Sequence, residues 1–317
     1  MATIKDVAKK AGVAVCTASR ALHNSGYVSQ AARAKVKKAA KDLGYIVDNN
    51  ALLLRDKKSK RIGILISDIL NPYFTRFVKD FQTRIAEVGY GTILAVANPD
   101  AINEEKQLKY LLGNHVETVL FVPSSTLNED ILVLAKKNGI NVIQLFVKAY
   151  DGYSSIINDD EGGAYLAAKQ LIKEGCKRIA LFDVKYGEQD FDREVAPNRH
   201  LGLERAIKEV KDVQGLTLFN SAVDDFSKDN ISKLNDFAPD GIIAGTGVFG
   251  LKVLQYMKTN TIKAKLISFD DNEWFAFQGI TCVRQNETKL MEAIINQILN
   301  NEQNSSVAIE ENLIIRN

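Results

Sequence analysis

The chain predicts an all-α three-helix helix-turn-helix headpiece followed by an α/β domain of two parallel-sheet subdomains. Short helical patterns punctuated by glycines fill residues 1–46. From Arg61 onward apolar strand runs alternate with helical patterns, and the alternation restarts after Asn158. Charge divides along the same line. Residues 1–61 carry fourteen Lys and Arg against four Asp and no Glu, or +10, whereas the remainder carries 27 bases against 35 acids, or −8. A segment so basic on an acidic body suits a polyanion; the plainer alternative is a solvated charged tail.

A chain of 317 residues is long enough to bury more than one core. No stretch approaches the roughly 20 apolar residues a membrane span needs. The lysines of residues 1–10 precede no apolar run, so no secretory signal is expected and a cytoplasmic location follows. Cys16, Cys176 and Cys282 are odd in number and scattered, which reads as reduced thiols rather than a disulfide framework or a metal site. Neither a metal nor a cofactor is expected.

In the headpiece, Thr3 can cap a helix and Asp6 can reach back to close a capping box, with Ile4, Val7, Ala8 and Ala11 at helical spacing. Gly12 breaks it. A second helix is expected over residues 16–24, with Ala18, Ala21 and Leu22 inward and Thr17, Ser19, Arg20 and His23 on the polar side. Two small helices around a glycine turn make a helix-turn-helix unit whose second helix can enter the major groove of DNA. Ser29 caps a third helix through Val36, Ala39, Ala40 and Leu43, ended by Gly44.

The runs Thr3-Ile-Lys-Asp-Val-Ala-Lys-Lys-Ala-Gly-Val13, Thr17-Ala-Ser-Arg-Ala-Leu22, Tyr27-Val-Ser29 and Leu43-Gly-Tyr45 resemble, in order, the headpiece of the lactose-repressor/galactose-repressor family. The resemblance implies that Val15, Cys16, Thr17 and Arg20 face base edges and phosphates. Arg20 can donate to guanine or phosphate, whereas Val15 and Cys16 offer apolar or steric discrimination or, alternatively, helix packing. It also implies that Thr3, Ser19, His23, Asn24, Tyr27, Ser29 and Arg33 position phosphates. Ala14 stands where the family usually has a capping serine, so the recognition helix starts with a weaker cap.

Residues 47–60 resemble the family's hinge helix, too short to be stable alone in water and expected to order on DNA beside a partner helix. Asn50, Ala51 and Leu54 match its DNA-contacting positions, Ala51 and Leu54 as minor-groove wedges; a buried linker is the alternative for Leu52–Leu54. Val47 replaces the usual proline and Asp48 an asparagine, which loosens hinge entry.

In the larger region, 61–317, strands are expected at 62–67, 92–97, 118–122 and 141–145, with helices at 73–88, 103–114 and 129–138. The second half repeats the pattern with strands at 178–182, 241–244 and 265–268, and a last strand pattern covers 311–316. The resemblance implies a periplasmic-binding-protein-like fold with effector and dimerisation roles. Its N-subdomain is expected at 61–158 and 286–303, its C-subdomain at 159–285 and 304–317, with the ligand between them. Polar residues beyond strand ends are the candidates for that ligand: Asp68, Asn71 and Phe74 after the first strand, then Ser124. Arg199, Asp270 and Gln285 match ligand-contacting positions of the family. Trp274 and Phe74 are either sugar platforms or core anchors.

Where the family usually reads Asn-Asp, this chain has Gly245-Thr-Gly-Val-Phe-Gly250; Thr246 keeps a hydroxyl and loses the amide, and Gly279 replaces a proline. The same run spells the G-x-G-x-x-G dinucleotide fingerprint, with Asp270 twenty residues beyond its last glycine, so an NAD-dependent enzyme is a rival, although no catalytic set accompanies it. A transport receptor would share the cleft but has no use for a helix-turn-helix. The expected function is therefore a DNA-binding regulator, not an enzyme. It is read as a repressor of a carbohydrate operon, controlled by a sugar or sugar phosphate and acting as a homodimer on pseudo-palindromic operator DNA without membrane contact; a phosphoprotein or non-sugar corepressor remains an alternative. Leu54→Ala is expected to weaken operator binding while leaving effector binding nearly intact. Equal affinities of variant and parent in a salt-matched gel shift would remove the wedge role.

Overall fold

A computed structural model of the protein describes residues 2–23, 26–46, 59–98, 100–184, 195–220 and 227–316. It divides into two compact units, Met1–Ser59 and Lys60–Asn317. The expected hinge helix and its contacts Asn50, Ala51 and Leu54, with Val47 and Asp48, lie outside the described residues, as does Asn24.

In the first unit, α1 (Ile4–Ala11) opens on the expected capping box. The Asp6 amide donates to the Thr3 hydroxyl, and the Asp6 carboxylate accepts from the Thr3 amide at 2.8 Å. Gly12 ends it with φ 67, the left-handed region that glycine enters without penalty. Helix α2 (Val15–Leu22) starts at Ala14 with no side-chain cap and stops earlier than expected, with His23 as its C-cap. Helix α3 (Gln30–Asp42) starts where the Ser29 hydroxyl accepts from the Ala32 amide. Val7, Ala8, Ala18, Ala21, Val36, Ala39 and Ala40 form one buried miniature core.

The second unit is two doubly wound halves. The first sheet has the order β2-β1-β3-β4-β5-β11, all parallel, from β1 (Arg61–Ile66), β2 (Gly91–Val96), β3 (Thr118–Phe121), β4 (Asn141–Phe146), β5 (Ser154–Asn158) and β11 (Ser306–Ile309). On one face α4 (Pro72–Glu87) and α12 (Glu287–Asn300) pack on Ile62, Ile64 and Ile66; on the other α5 (Ala101–Gly113) and α6 (Glu129–Lys137) pack on Leu65, Val119 and Phe121. Burial on both faces explains why these strands read as continuous apolar runs.

The second sheet has the order β7-β6-β8-β9-β10-β12, from β6 (Arg178–Val184), β7 (Gln214–Asn220), β8 (Gly241–Ala244), β9 (Lys265–Phe269), β10 (Thr281–Gln285) and β12 (Glu311–Ile314), the last antiparallel to β10. Helices α7 (Asp160–Lys173) and α8 (Val195–Lys208) cover one face, and α9 (Lys228–Phe237) and α10 (Gly247–Thr259) the other, with the short α11 (Glu273–Phe277) at the rim.

The chain passes between the halves three times, after Asn158, after Gln285 and after Ile309. The expected return at 303/304 is therefore corrected: β11 pairs with β5, Ile309 joins the first core, and the chain leaves only at Glu310. Its four residues carry too little alternation to announce a strand of the first half.

Helices α7 and α8 approach closely at Gly202, where a Cβ would drive into the Glu161 carbonyl and lie 2.8 Å from the Tyr165 amide nitrogen. Both obstacles are backbone. Gly202→Ala is expected to cost about 1–3 kcal/mol by overpacking, read as a lower urea midpoint; an unchanged midpoint would refute the close approach.

Candidate functional site

In the headpiece, the residues expected to face DNA differ in exposure. Val15, Cys16 and Arg20 are exposed on α2, Thr17 and Ser19 are half-buried beside them, and Tyr27 is 91% exposed. The exposure of Val15 and Cys16 goes against the packing alternative. His23 and Arg33 are half-buried. The Arg20 stem lies beside Gly26, its Cδ 3.5 Å from where a Cβ would stand, in a turn with φ 65. Thr3 and Ser29 engage their hydroxyls in helix starts, so they orient the first-turn amides, the groups that can meet a phosphate.

In the second unit, a pocket of about 350 Å3 opens between the halves. Asn71 and Tyr73 line it from the start of α4, and Gly247, Leu251, Asp270 and Trp274 from the second half. Asn71 is there because its side chain caps α4, accepting from the Tyr73 amide at 3.0 Å. Asp270 follows β9 with φ 62, an aspartate-tolerant left-handed turn. One of its oxygens accepts from the Gly247 amide at 2.9 Å, the other from the Gln285 side chain at 2.7 Å. Thr246 caps α10 by accepting from the Phe249 amide, and Trp274 is 67% exposed at the pocket edge, so it is a wall rather than a core anchor.

Arg199 is buried. Its Nε donates to Asp160 at 2.8 Å, its Nη1 reaches Asp183 at 3.3 Å, and its plane lies 4.1 Å over the Phe269 ring. Burial opposes the Arg199 charge, but Asp160 and then Asp183 outweigh it and hold the guanidinium protonated. Burial pushes the Asp160 carboxyl up to about 6 even against the pull of Arg199. Glu311, buried at the last crossing, is pushed well up by burial and by the nearby carboxylates, Asp160 first.

A second ion cluster joins the halves. Burial works against the Asp271 charge, but Arg316 at 2.8 Å and Arg284 outweigh it and hold the carboxyl below its usual range. Arg76, on α4 of the first half, donates to the Asp271 carbonyl at 3.0 Å and pairs with Glu287 at 2.7 Å.

Six expected site residues are not among those lining the pocket: Asp68, Phe74, Ser124, Arg199, Thr246 and Gln285. Asp68 is exposed and accepts from the Leu70 amide. Phe74 packs its ring 5.8 Å from both Tyr73 and Phe146, the core alternative. Ser124 directs its amide and hydroxyl to the buried Glu104, at 2.5 and 2.6 Å. Sequence reading passed over Asp160, Asp183, Asn158 and Glu311, although each lies at a strand end or just past a crossing, the edge where open sheets bind ligands.

The glycines of 245–250 have packing reasons. A Cβ at Gly245 would strike the Asp183 carboxylate, at Gly247 the Asp270 backbone, and at Gly250 the Ser268 hydroxyl. The Gly247 amide is already given to Asp270, a carboxylate where a dinucleotide would need its phosphate.

Residues 3–48 match the description "Bacterial regulatory proteins, lacI family", and residues 59–217 match "Periplasmic binding proteins and sugar binding domain of LacI family". The chain belongs to the LacI family. LacI-family members are DNA-binding transcription regulators, which sets aside the dinucleotide enzyme. The sucrose operon repressor of Lactococcus lactis subsp. lactis is 28% identical, covering 94% of this chain and 93% of the relative. The ribose operon repressor of Halalkalibacterium halodurans is 29% identical, covering 88% and 81%. The solved Lac repressor dimer bound to operator and the anti-inducer ONPF shares the fold, with a TM-score of 0.81 at 20% identity and coverage of 99% and 98%. A CelR–cellobiose complex has a TM-score of 0.66 at 23% identity, covering 100% and 99%. Among the described residues no helix is long and apolar enough to cross a membrane.

Arg199→Ala would strand Asp160 and Asp183 without a cation, and breaking such a buried pair costs on the order of 3–5 kcal/mol. Burial already pushes the Asp160 carboxyl up to about 6 against the pull of Arg199, and losing that cation pushes it further, so the variant's deficit should be full at neutral pH and shrink as pH falls into the acid range. A deficit in urea midpoint equal at acid and neutral pH would refute this pairing.

Proposed function

We propose that this regulator is a cytoplasmic repressor of a carbohydrate-utilisation operon. It binds a pseudo-palindromic operator as a homodimer, and a small sugar-type effector bound between the halves of the second unit releases it. The observation that supports this best is the pocket itself. One wall comes from Asn71 and Tyr73, the other from Gly247, Asp270 and Trp274, so a ligand touching both walls has a binding energy that depends on their separation. Asp270 and Gln285 supply acceptors and a donor for hydroxyls, Trp274 an apolar face for a ring, and Arg199 orients the carboxylates behind them. The operon repressors for sucrose and ribose among its relatives favour a sugar over other small molecules.

On the DNA side, Arg20, Thr17, Val15 and Cys16 read bases, and Thr3, Ser19, His23, Asn24, Tyr27, Ser29 and Arg33 set phosphate register. Asn50, Ala51 and Leu54 engage the minor groove. A single eight-residue recognition helix reads few base pairs, which is why two copies are required.

The test is to select binding sites from a random duplex pool with the full chain, then titrate the selected duplex by fluorescence anisotropy with and without a panel of mono- and disaccharides. The selected site should be palindromic, bound by two chains, and released by one sugar with an affinity loss of about 5–150-fold. Asymmetric sites bound by one chain would overturn the dimer, and indifference to every sugar would overturn the effector assignment.

A further inference from the structure

At each of the three crossings between the halves the chain buries a side chain with an unmet acceptor. Asn158, at the end of β5, has no partner for its Oδ1; Gln285, at the end of β10, has none for its Oε1; Glu311, at the start of β12, has none for either carboxylate oxygen. They are 8%, 2% and 6% exposed. The three converge. Gln285 and Glu311 are directly opposite in the β10–β12 ladder, so their side chains share a face, and Asn158 stands opposite Ile309 in the β5–β11 ladder, two residues from Glu311. Asn158 donates to the Tyr73 hydroxyl at 3.5 Å, and Gln285 donates to Asp270; Tyr73 and Asp270 both line the pocket. Asn158 and Gln285 therefore lie one side chain behind the pocket's lining, and Glu311 stands beside Gln285 across the ladder.

The charge around them is one-sided. Asp160, Asp183, Asp270 and Glu311 face a single guanidinium, Arg199, whose donors are directed at Asp160 and Asp183. A buried acceptor without a donor costs free energy, and burial among acids pushes the Glu311 carboxyl up because its charged form has no cation of its own there. Such a place calls for a ligand that brings several donors and positive charge, and it repels a phosphate. Among the described residues no group of His, Cys, Asp and Glu side chains could hold a metal ion.

We propose that the effector is an amine-bearing polyol of the amino-sugar class, its ammonium group seated against Glu311 with the amide oxygens of Asn158 and Gln285. This rests on the reading of the pocket as a sugar-effector site and narrows its chemistry. The ring hydroxyls lie toward Asp270 and Trp274, and the ammonium supplies the donors that the crossings lack. Because the ammonium touches residues at all three crossings, it binds best at one angle between the halves, the property an inducer requires.

The experiment is calorimetric titration of the full-length protein at a pH where hexosamines are protonated. The probes are glucosamine, galactosamine and mannosamine, each beside its parent hexose, its N-acetyl derivative and its 6-phosphate. Expected is one amine binding on the order of tenfold to a hundredfold more tightly than its parent and its N-acetyl form, the scale of a charge-assisted hydrogen bond. The 6-phosphate should bind least. Glu311→Gln, which keeps the shape and removes the carboxylate, should bring the ratio of amine to parent-hexose affinity down to about one. Equal or tighter binding of a neutral sugar or a phosphate overturns the amine assignment while leaving the sugar pocket standing. Silence from every sugar overturns both. Stabilisation by potassium or ammonium chloride over tetramethylammonium chloride, without amine selectivity, would give the site to a free inorganic cation and overturn the assignment to the effector. The parent-against-amine ranking decides the question in the unmutated protein even if the variant does not fold.

Discussion

Everything in the larger unit is organised around burying charge where the carboxyl ends of two parallel sheets meet. Parallel strands aim their carboxyl ends one way, and loops leaving those ends carry the polar residues. Here those ends bring Asp183, Asp270, Asn158 and Gln285 together, and the next helix and strand add Asp160 and Glu311. Arg199 is the cation that makes the arrangement tenable. It stacks on Phe269 and divides its donors between Asp160 and Asp183, so its one charge serves two buried carboxylates. A lysine could not do this, because it lacks both the flat face and the fork.

Asp270 and Asp271 are adjacent in sequence yet belong to different electrostatic systems, and the backbone between them explains how. With φ 62 at Asp270 the chain turns sharply after β9. The first carboxylate then meets Gly247 and Gln285, while the second meets Arg284 and Arg316. A left-handed residue other than glycine costs roughly 1–2 kcal/mol, and aspartate is among those that bear it best. The cost is offset by placing one acid in the pocket and its neighbour in an ion cluster that Arg76 of the other half also reaches.

Strands buried on both faces were legible as apolar runs, and helices with caps were legible from Thr3 and Ser29, because these signals are local. The class of the site was legible for the same reason: Asn71, Asp270 and Trp274 do line one pocket. What escaped was set by tertiary structure. Strand β5 carries two serines and an asparagine in five residues, and β11 has four residues, so their membership of the first sheet depends on partners far along the chain. Phe74 and Ser124 sit beyond strand ends as binding residues do, yet an aromatic neighbour at Phe146 and a buried acid at Glu104 claim them. Neither partner is within reach of local spacing. Gly245–Gly250 misled in the opposite sense, since close packing and phosphate binding both require glycine and only the neighbours, Asp183 and Ser268, tell them apart.

The two units differ in what holds them. The headpiece core is alanine and valine on three short helices, so it buries little apolar area and its fold leans on caps and glycine turns. The larger unit has a substantial core on each face of two sheets and can absorb the cost of buried carboxylates. That asymmetry suits a sensor attached to a reader. An effector can change DNA affinity only by the difference in its contacts between two arrangements of the halves. The larger unit puts its charged groups, its unmet acceptors and the Arg76 bridge at the crossings where those arrangements differ, and leaves the sheet interiors apolar. Binding energy released there acts on the angle between the halves instead of being dispersed in their cores.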